Sequence, residues 1–277
     1  MTRAVRGGNI QLNELVIAIK GAGEMASAVA WRLYMANLRS IFMMETAMPL
    51  AVRREVSFCE AVHCGSKTIE GVEAVKAGSA EDIPRMWRLE KVAVIVDPEW
   101  QTLKQIKPDV VVDAILAKQN LGTRQDDARL VIGLGPGFTA GGDVHLVIET
   151  NRGHHLGRLI FSGSAEPDTG IPAPVGGVAA ARVLRAPVAG EFQSTRNIGE
   201  TVRQGEVIGR VGESEVAAEI DGVLRGLMRT PTRVPKGIKI GDIDPRGEAG
   251  FCCTISDKAR AVAGSVLEAI LRSFNTY

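Results

Sequence analysis

The sequence predicts an α/β protein: a mostly parallel sheet covered on both faces, then a smaller all-β unit, then one closing helix. Three observations carry that expectation. Continuous apolar runs stand at LVIAIK (15–20), VAVIV (92–96) and VVVDAIL (110–116), and uninterrupted runs suit parallel strands buried on both sides. A glycine turn, GAGEMA, follows the first run at once and opens a stretch with helical spacing. From Arg185 onward the chain changes to short strands punctuated by glycine, past the Pro- and Gly-rich TGIPAPVGG, which places a unit boundary near 170–184.

Taken in order, residues 1–14 form an N-terminal tail with no apolar stretch behind its basic residues, so it lacks the pattern of a secretory signal. LVIAIK is the first strand, MASAVAWRLYMANL a helix packed on the sheet, and SIFMME the next strand, ending at Glu45. Within GAGEMA, Gly21, Gly23 and Ala26 fit the GxGxxG/A dinucleotide fingerprint, with Glu24 and Met25 between them. The first glycine permits the tight turn, the second lets a pyrophosphate approach the backbone, and the helix end supplies N–H donors. Glu45 falls where an acid bonds a ribose hydroxyl. Residues 15–182 are therefore expected to be a Rossmann-like nucleotide-binding domain, with cofactor-binding candidates Gly21, Gly23, Glu24, Met25, Ala26 and Glu45. The competing reading is a fold that keeps the turn without the cofactor.

Asp97 and Asp113 stand at or near the ends of expected parallel strands, where open α/β sheets bind ligands, and Lys118 follows the second. Capping of a loop is the alternative role for each aspartate. After the strand LVIGL (130–134) comes GLGPGFTAGGD, whose N–H groups could form an anion-binding concavity. Gly135, Gly137, Thr139, Gly141, Gly142 and Asp143 are its candidate contacts, against the alternative of a purely structural loop. The following VHLVIETNRGHHLGRLIF reads as a β-hairpin over 144–162 around a three-residue loop, Asn151 to Gly153, which sets Glu149 opposite His155. Neighbouring strand residues point to opposite faces, so His154 and His155 are not expected to share a metal.

The all-β unit, 183–246, contains an internal repeat with an offset of 32 residues: Ala186, Val188, Gly190, Val202, Gly205, Ile208, Gly209 and Val211 recur as Ala218, Ile220, Gly222, Val234, Gly237, Ile240, Gly241 and Ile243. Two similar halves imply a pseudo-twofold β sandwich, and APVAGEF, GETVRQGEVIGRV, EIDGVLRGLM and VPKGIKIGDI resemble the biotinyl and lipoyl carrier domains, whose fold is a small barrel-sandwich. Those domains attach their cofactor to a lysine in the central hairpin, here near GESE. No lysine lies between Val183 and Pro235, so covalent biotin or lipoate is not expected.

In the last segment, 247–277, SDKARAVAGSVLEAILRSF repeats apolar residues at helical spacing, with Ser256 or Asp257 as N-cap. Its stripe is expected to pack back on the first domain. Cys252 and Cys253 are either ordinary core cysteines or a thiol able to carry sulfur or selenium. They and Asp113 are the catalytic candidates. Cys59, His63 and Cys64 supply at most three ligands, and no metal site is expected.

Bulk properties narrow the function classes. The 277 residues carry 33 basic against 32 acidic side chains, so no net field holds the chain on nucleic acid or anionic lipid, and aromatics at 4% argue against base-stacking platforms. No apolar run spans a bilayer, and four cysteines without a CxxC pair do not form a disulfide scaffold, so a cytoplasmic location is expected.

The segments GAGEMASAVAWRL, GLGPGFTAGGDVHLVIETNRGHHLG, DTGIP, KIGDIDPR and TISDKARAVAGSVLEAIL together resemble the YqeB-type accessory family associated with selenium-dependent molybdenum hydroxylases. Its Rossmann-like portion is in turn similar to the XdhC-type maturation factors. The resemblance implies a maturation role, with a nucleotide or molybdopterin dinucleotide as ligand and the apo-hydroxylase as partner. It transfers no catalytic residues. Two other readings stay open: an NAD(P)-dependent oxidoreductase of a small metabolite, and a non-enzymatic docking scaffold. A homo-oligomer is compatible with each.

Overall fold

A computed structural model describes residues 11–170, 172 and 174–275. Most of the expected N-terminal tail, and Ile171 and Ala173 of the Pro- and Gly-rich segment, lie outside the described residues.

The first apolar run is β1 (Ile17–Lys20), followed through the glycine turn by α1 (Glu24–Met35) and β2 (Ile41–Glu45). The short α2 (Ala61–Cys64) precedes a hairpin, β3 (Ser66–Ile69) and β4 (Val72–Ala77), which is absent from the expectations above. Its turn is Glu70-Gly71, both at positive φ, and Ile69 pairs directly with Val72, the geometry of a two-residue hairpin loop. Then come α3 (Ile83–Arg88), β5 (Val92–Val96), α4 (Gln101–Ile106), β6 (Val110–Asp113), β7 (Leu130–Leu134), β8 (Leu146–Ile148) and β9 (Leu159–Ile160).

These form one nine-stranded sheet in the order β3-β4-β5-β2-β1-β6-β7-β8-β9. Seven strands run parallel and the outermost strand at each edge is antiparallel. Burial on both faces explains the unbroken apolar runs: β1 and β6 are buried at every position. Ile17 and Ile19 face one core with α1, while Ala18 faces the other with Phe42, Val111 and Phe138.

The remaining strands are β10 (Val183–Arg185), β11 (Gly190–Gln193), β12 (Thr201–Val202), β13 (Val207–Val211), β14 (Ser214–Ala217), β15 (Gly222–Leu227), β16 (Thr232–Val234) and β17 (Lys239–Asp244). They make two four-stranded antiparallel sheets, β10-β17-β15-β12 and β14-β13-β11-β16, around a third core that includes Phe192, Leu224 and Ile240. Shifting by the repeat offset carries each sheet into the other, with β10, β17, β15 and β12 corresponding to β14, β13, β11 and β16. Each sheet therefore draws strands from both repeats, so neither half buries its apolar face alone.

This architecture overturns the expected Rossmann-like sheet joined to a biotinyl/lipoyl-like barrel-sandwich. The large sheet is mixed, carries an inserted hairpin between β2 and β5, and passes from β6 to β7 to β8 without an intervening α-helix. The smaller strands form two separate antiparallel sheets, tied to the rest by the segment before α2. There Val52 accepts a hydrogen bond from the Leu227 N–H at 2.8 Å, and Arg54 Nε donates to the Leu227 carbonyl at 2.7 Å.

The chain closes with α5 (Asp257–Phe274), capped by the Ser256 side chain, which accepts from the Ala259 N–H. Its apolar stripe, including Ala259, Val262, Ala263, Val266 and Ile270, shares the core of α1. Small residues let the two helices approach closely. No helix among the described residues is long and apolar enough to cross a membrane.

Candidate functional site

A cleft of about 600 Å³ opens between the C-terminal ends of the parallel strands, the outer face of the β10-β17-β15-β12 sheet and the first turn of α5. Its wall comes from the first turn of α1 (Glu24, Met25), the loop after β6 (Leu116, Lys118), the end of β7 and the residues after it (Leu134, Pro136), and Thr150 to Arg152 after β8. Residues 166–170 run along its rim.

Nine basic residues line this space against four acidic ones, Glu24, Glu166, Asp168 and Asp257. On the antiparallel side, a register shift in β17 makes the floor. Leu184 pairs with Gly241 and Arg185 with Lys239, which leaves Ile240 between them and lets both Ile240 and Ile243 join the core, while Asp242 and Asp244, two apart, share the face beneath the cleft and are fully buried. Asp242 accepts hydrogen bonds from Arg182, Arg225 and, at 2.9 Å, from Lys239. Asp244 accepts from Arg225 at 3.3 Å and from Arg246 at 2.6 and 2.9 Å. Burial alone would raise both carboxyls. For Asp242 the charges of Lys239, Arg225 and Arg182 outweigh it, and for Asp244 the Arg246 hydrogen bonds and Arg225 do, so both lie below the usual carboxylate range. Two carboxylates thus orient four cations and leave a formal surplus of positive charge.

On the opposite wall most cations have carboxylate partners. Arg53 binds Glu24 at 2.8 Å, Lys118 binds Asp168 at 2.6 Å, and Arg152 grips Asp257 through two bonds of 2.6 and 2.7 Å. Two further cations differ, Arg185 on the floor side at the end of β10 and Lys258 in the first turn of α5. Arg185 donates to the Gly237 carbonyl, and among the described residues neither has an acid partner. Burial first, and the neighbouring Arg152 charge second, push the Lys258 ammonium below the usual lysine value.

The residues expected from the sequence divide sharply. Glu24, Met25 and Lys118 line the cleft. Gly21 takes a φ of +89° against the backbone of Ile115, and Gly23 is the N-cap of α1, with no side-chain cap. Ala26 is buried in the core of α1. Glu45 is held against the turn, accepting from the Ala22 and Thr46 N–H groups, each at 2.8 Å. Asp97 caps α4 by accepting from the Thr102 N–H at 2.7 Å. Asp113 accepts from Thr123 Oγ1 at 2.6 Å in a buried network with Lys20, which reaches Thr123 and Asp127. Burial raises its carboxyl, and it stands outside the cleft.

The glycine-rich loop packs rather than cradles. A Cβ on Gly135 would stand 2.4 Å from Thr150 Oγ1, and one on Gly137 2.6 Å from the Gln119 nitrogen. Gly141, Gly142 and Asp143 donate their N–H groups to Val144 and Thr139 carbonyls, and the Thr139 N–H is taken by the Asp143 carboxylate, so those four residues offer no anion concavity. The three-residue hairpin is also corrected. Ile148 pairs with Leu159 across a longer loop, and Glu149 accepts from the Asn151 and Glu166 N–H groups, both at 2.7 Å, instead of facing His155.

Cys252 is buried, with burial raising its thiol, while Cys253 is exposed, and neither lines the cleft. Among the described residues no three His, Cys, Asp or Glu side chains gather to hold a metal. The floor residues Arg182, Arg185, Arg225, Lys239 and Arg246 were missed. Their available signal was KIGDID, where two acids flank the core isoleucine Ile243 on a strand otherwise suited to burial.

No family model matches the chain. Among solved structures, TcdA (CsdL) aligns with 96% of this chain and 90% of its own at 11% identity and a TM-score of 0.32. An aspartoacylase family protein from Mesorhizobium loti aligns with 82% and 84% at 12% identity and a TM-score of 0.27. Both likenesses are slight. The uncharacterized protein YqeB of Escherichia coli (strain K12) is 48% identical over 256 residues, 92% of this chain but 47% of YqeB. The chain thus spans about half the length of the curated relative it matches. An identity of 48% across nearly all of this chain supports the YqeB family for it.

Proposed function

We propose that the chain binds a pyrophosphate-bearing small molecule, a nucleotide or the dinucleotide form of molybdopterin, and does so as an accessory protein in the maturation of a selenium-dependent molybdenum hydroxylase. The observation that carries the binding is the surplus of cations around a cleft of about 600 Å³, a volume in the range of small-molecule sites. The first turns of α1 and α5 both border it, adding the positive ends of two helix dipoles. The maturation setting, with the pterin dinucleotide as cargo and the apo-hydroxylase as partner, rests on the sequence resemblance alone.

Of the nucleotide ligands, NAD(P) suits the cleft less well. Its usual recognition needs an acid held for the ribose, and the Glu45 carboxylate is already bonded to two backbone N–H groups. Calorimetric titration of the whole chain with molybdopterin cytosine dinucleotide, CTP and NAD, with cytidine as the uncharged control, tests the reading. The expected result is saturable binding of the phosphorylated ligands that weakens as salt rises, and none of cytidine. No binding of any phosphorylated ligand overturns it.

A further inference from the structure

We infer that the phosphates of the ligand rest on the Arg/Lys floor of the antiparallel sheet and not on the glycine turn, with the ring system at the strand ends. This deepens the proposed reading of the cleft and rests on it. At the turn, the cation Arg53 is already paired with a carboxylate that borders the cleft. The Glu24 carboxylate accepts from Arg53 at 2.8 Å and from Ser256 Oγ at 3.0 Å, so a phosphate beside it would meet like charge.

The floor has the opposite character. Arg182, Arg225, Lys239 and Arg246 are held by two fully buried carboxylates, which fixes their directions before a ligand arrives. Planar guanidinium groups suit phosphate oxygens, and the two cations without acid partners, Arg185 and Lys258, border the same space. Burial and then the Arg152 charge disfavour the Lys258 ammonium, against the weaker attraction of Glu24, Glu149 and Asp168, and a bound anion would offset that cost. At the far end, Met25, Leu116, Leu134 and Pro136 offer apolar surface for a base or pterin ring. A surplus of this size favours a pyrophosphate or triphosphate over a monophosphate.

Gly23 allows a clean test. Its φ of −71° is open to any residue and an added Cβ meets nothing within 4 Å, so Gly23→Ala keeps the turn while obstructing a phosphate seated on that backbone. Inorganic pyrophosphate is titrated against the native chain, Gly23→Ala, Arg185→Gln and Lys258→Gln, then used to compete with CTP. Pyrophosphate is expected to bind and to displace CTP. Arg185→Gln and Lys258→Gln should each weaken it about tenfold, the worth of one charged hydrogen bond. Gly23→Ala should change it by less than about twofold, as a substitution making no contact does.

Loss of binding in Gly23→Ala with Arg185→Gln and Lys258→Gln unaffected overturns the placement. So does nucleotide binding without pyrophosphate binding, which leaves the proposed function standing. No binding of pyrophosphate, nucleotide or pterin dinucleotide overturns both.

Discussion

Two regions face each other across the cleft, the glycine turn from Gly21 to Ala26 and the floor around Asp242 and Asp244, and each is organised by carboxylates used in different ways. At the turn, Glu45 satisfies backbone donors of Ala22 and Thr46, so its negative charge fixes the path of the chain. At the floor, Asp242 and Asp244 satisfy side-chain cations, so their charges fix the directions of guanidinium and ammonium groups. The first use yields shape. The second yields an oriented positive surface, and an anionic ligand needs that more than it needs a glycine.

The largest test of this contrast removes charge from the floor without changing volume. Asp242→Asn leaves Arg182, Arg225 and Lys239 without the carboxylate they converge on, and breaking a buried ion pair by removing one partner costs about 3–5 kcal/mol. The expected outcome is a large fall in the thermal midpoint, measured by calorimetry. The same residue dictates a pH dependence. The folded state holds the Asp242 carboxyl below its ordinary value of about 3.9, so its stabilisation is fully present above that value and is lost as pH falls through the folded one. Asp242→Asn should therefore flatten the acid limb of the stability curve, and an unchanged limb would detach Asp242 from the floor's energetics.

A second test separates glycines that read alike in the sequence. Gly137 has a φ of +108°, and a Cβ there would press on the Gln119 and Lys118 backbone at 2.6–2.8 Å. Gly137→Ala is expected to destabilise by about 2–4 kcal/mol, from strain and overpacking together. Gly23→Ala, at an open position with negative φ, should leave the denaturation midpoint close to that of the native chain. Equal losses in the two variants would contradict the view that the glycine-rich loop is a packing device and the turn is not.

The same contrast explains what the sequence made legible. β1, α1 and β2 were evident because apolar runs and the glycine turn are local signals, and α5 was evident because one stripe repeats at helical spacing up to a serine cap. The 32-residue repeat also reappears in the strands, since β11 and β15 occupy equivalent places in the two sheets. The β3–β4 hairpin was missed although Glu70-Gly71 resembles the Asp-Gly turn signal. The hairpin after β8 was misjudged because Glu149 turns back to N–H groups of Asn151 and Glu166, a tertiary bond that alternation does not reveal. The floor was the least legible part. Arg182 and Asp242 meet across 60 positions, and the pattern of arginines has no meaning until β10, β15 and β17 lie side by side.

The smallest expected effect is in Lys258, and its sign is informative. A cation crowded by Arg152 and partly buried costs the ligand-free protein stability, so Lys258→Gln should raise the thermal midpoint by about 1–2 °C, equivalent to roughly 0.5 kcal/mol. Because the folded pKa is lowered, that cost is fully present below it, where the ammonium is charged. It disappears as pH rises past it toward the unfolded value of about 10.4. The advantage of Lys258→Gln should therefore shrink in alkaline buffer. A variant that gains stability alone yet loses pyrophosphate affinity shows a residue kept for its ligand, whereas one that loses both shows a residue kept for the fold. Only the first result fits a floor whose surplus charge is an unfilled half of an ion pair.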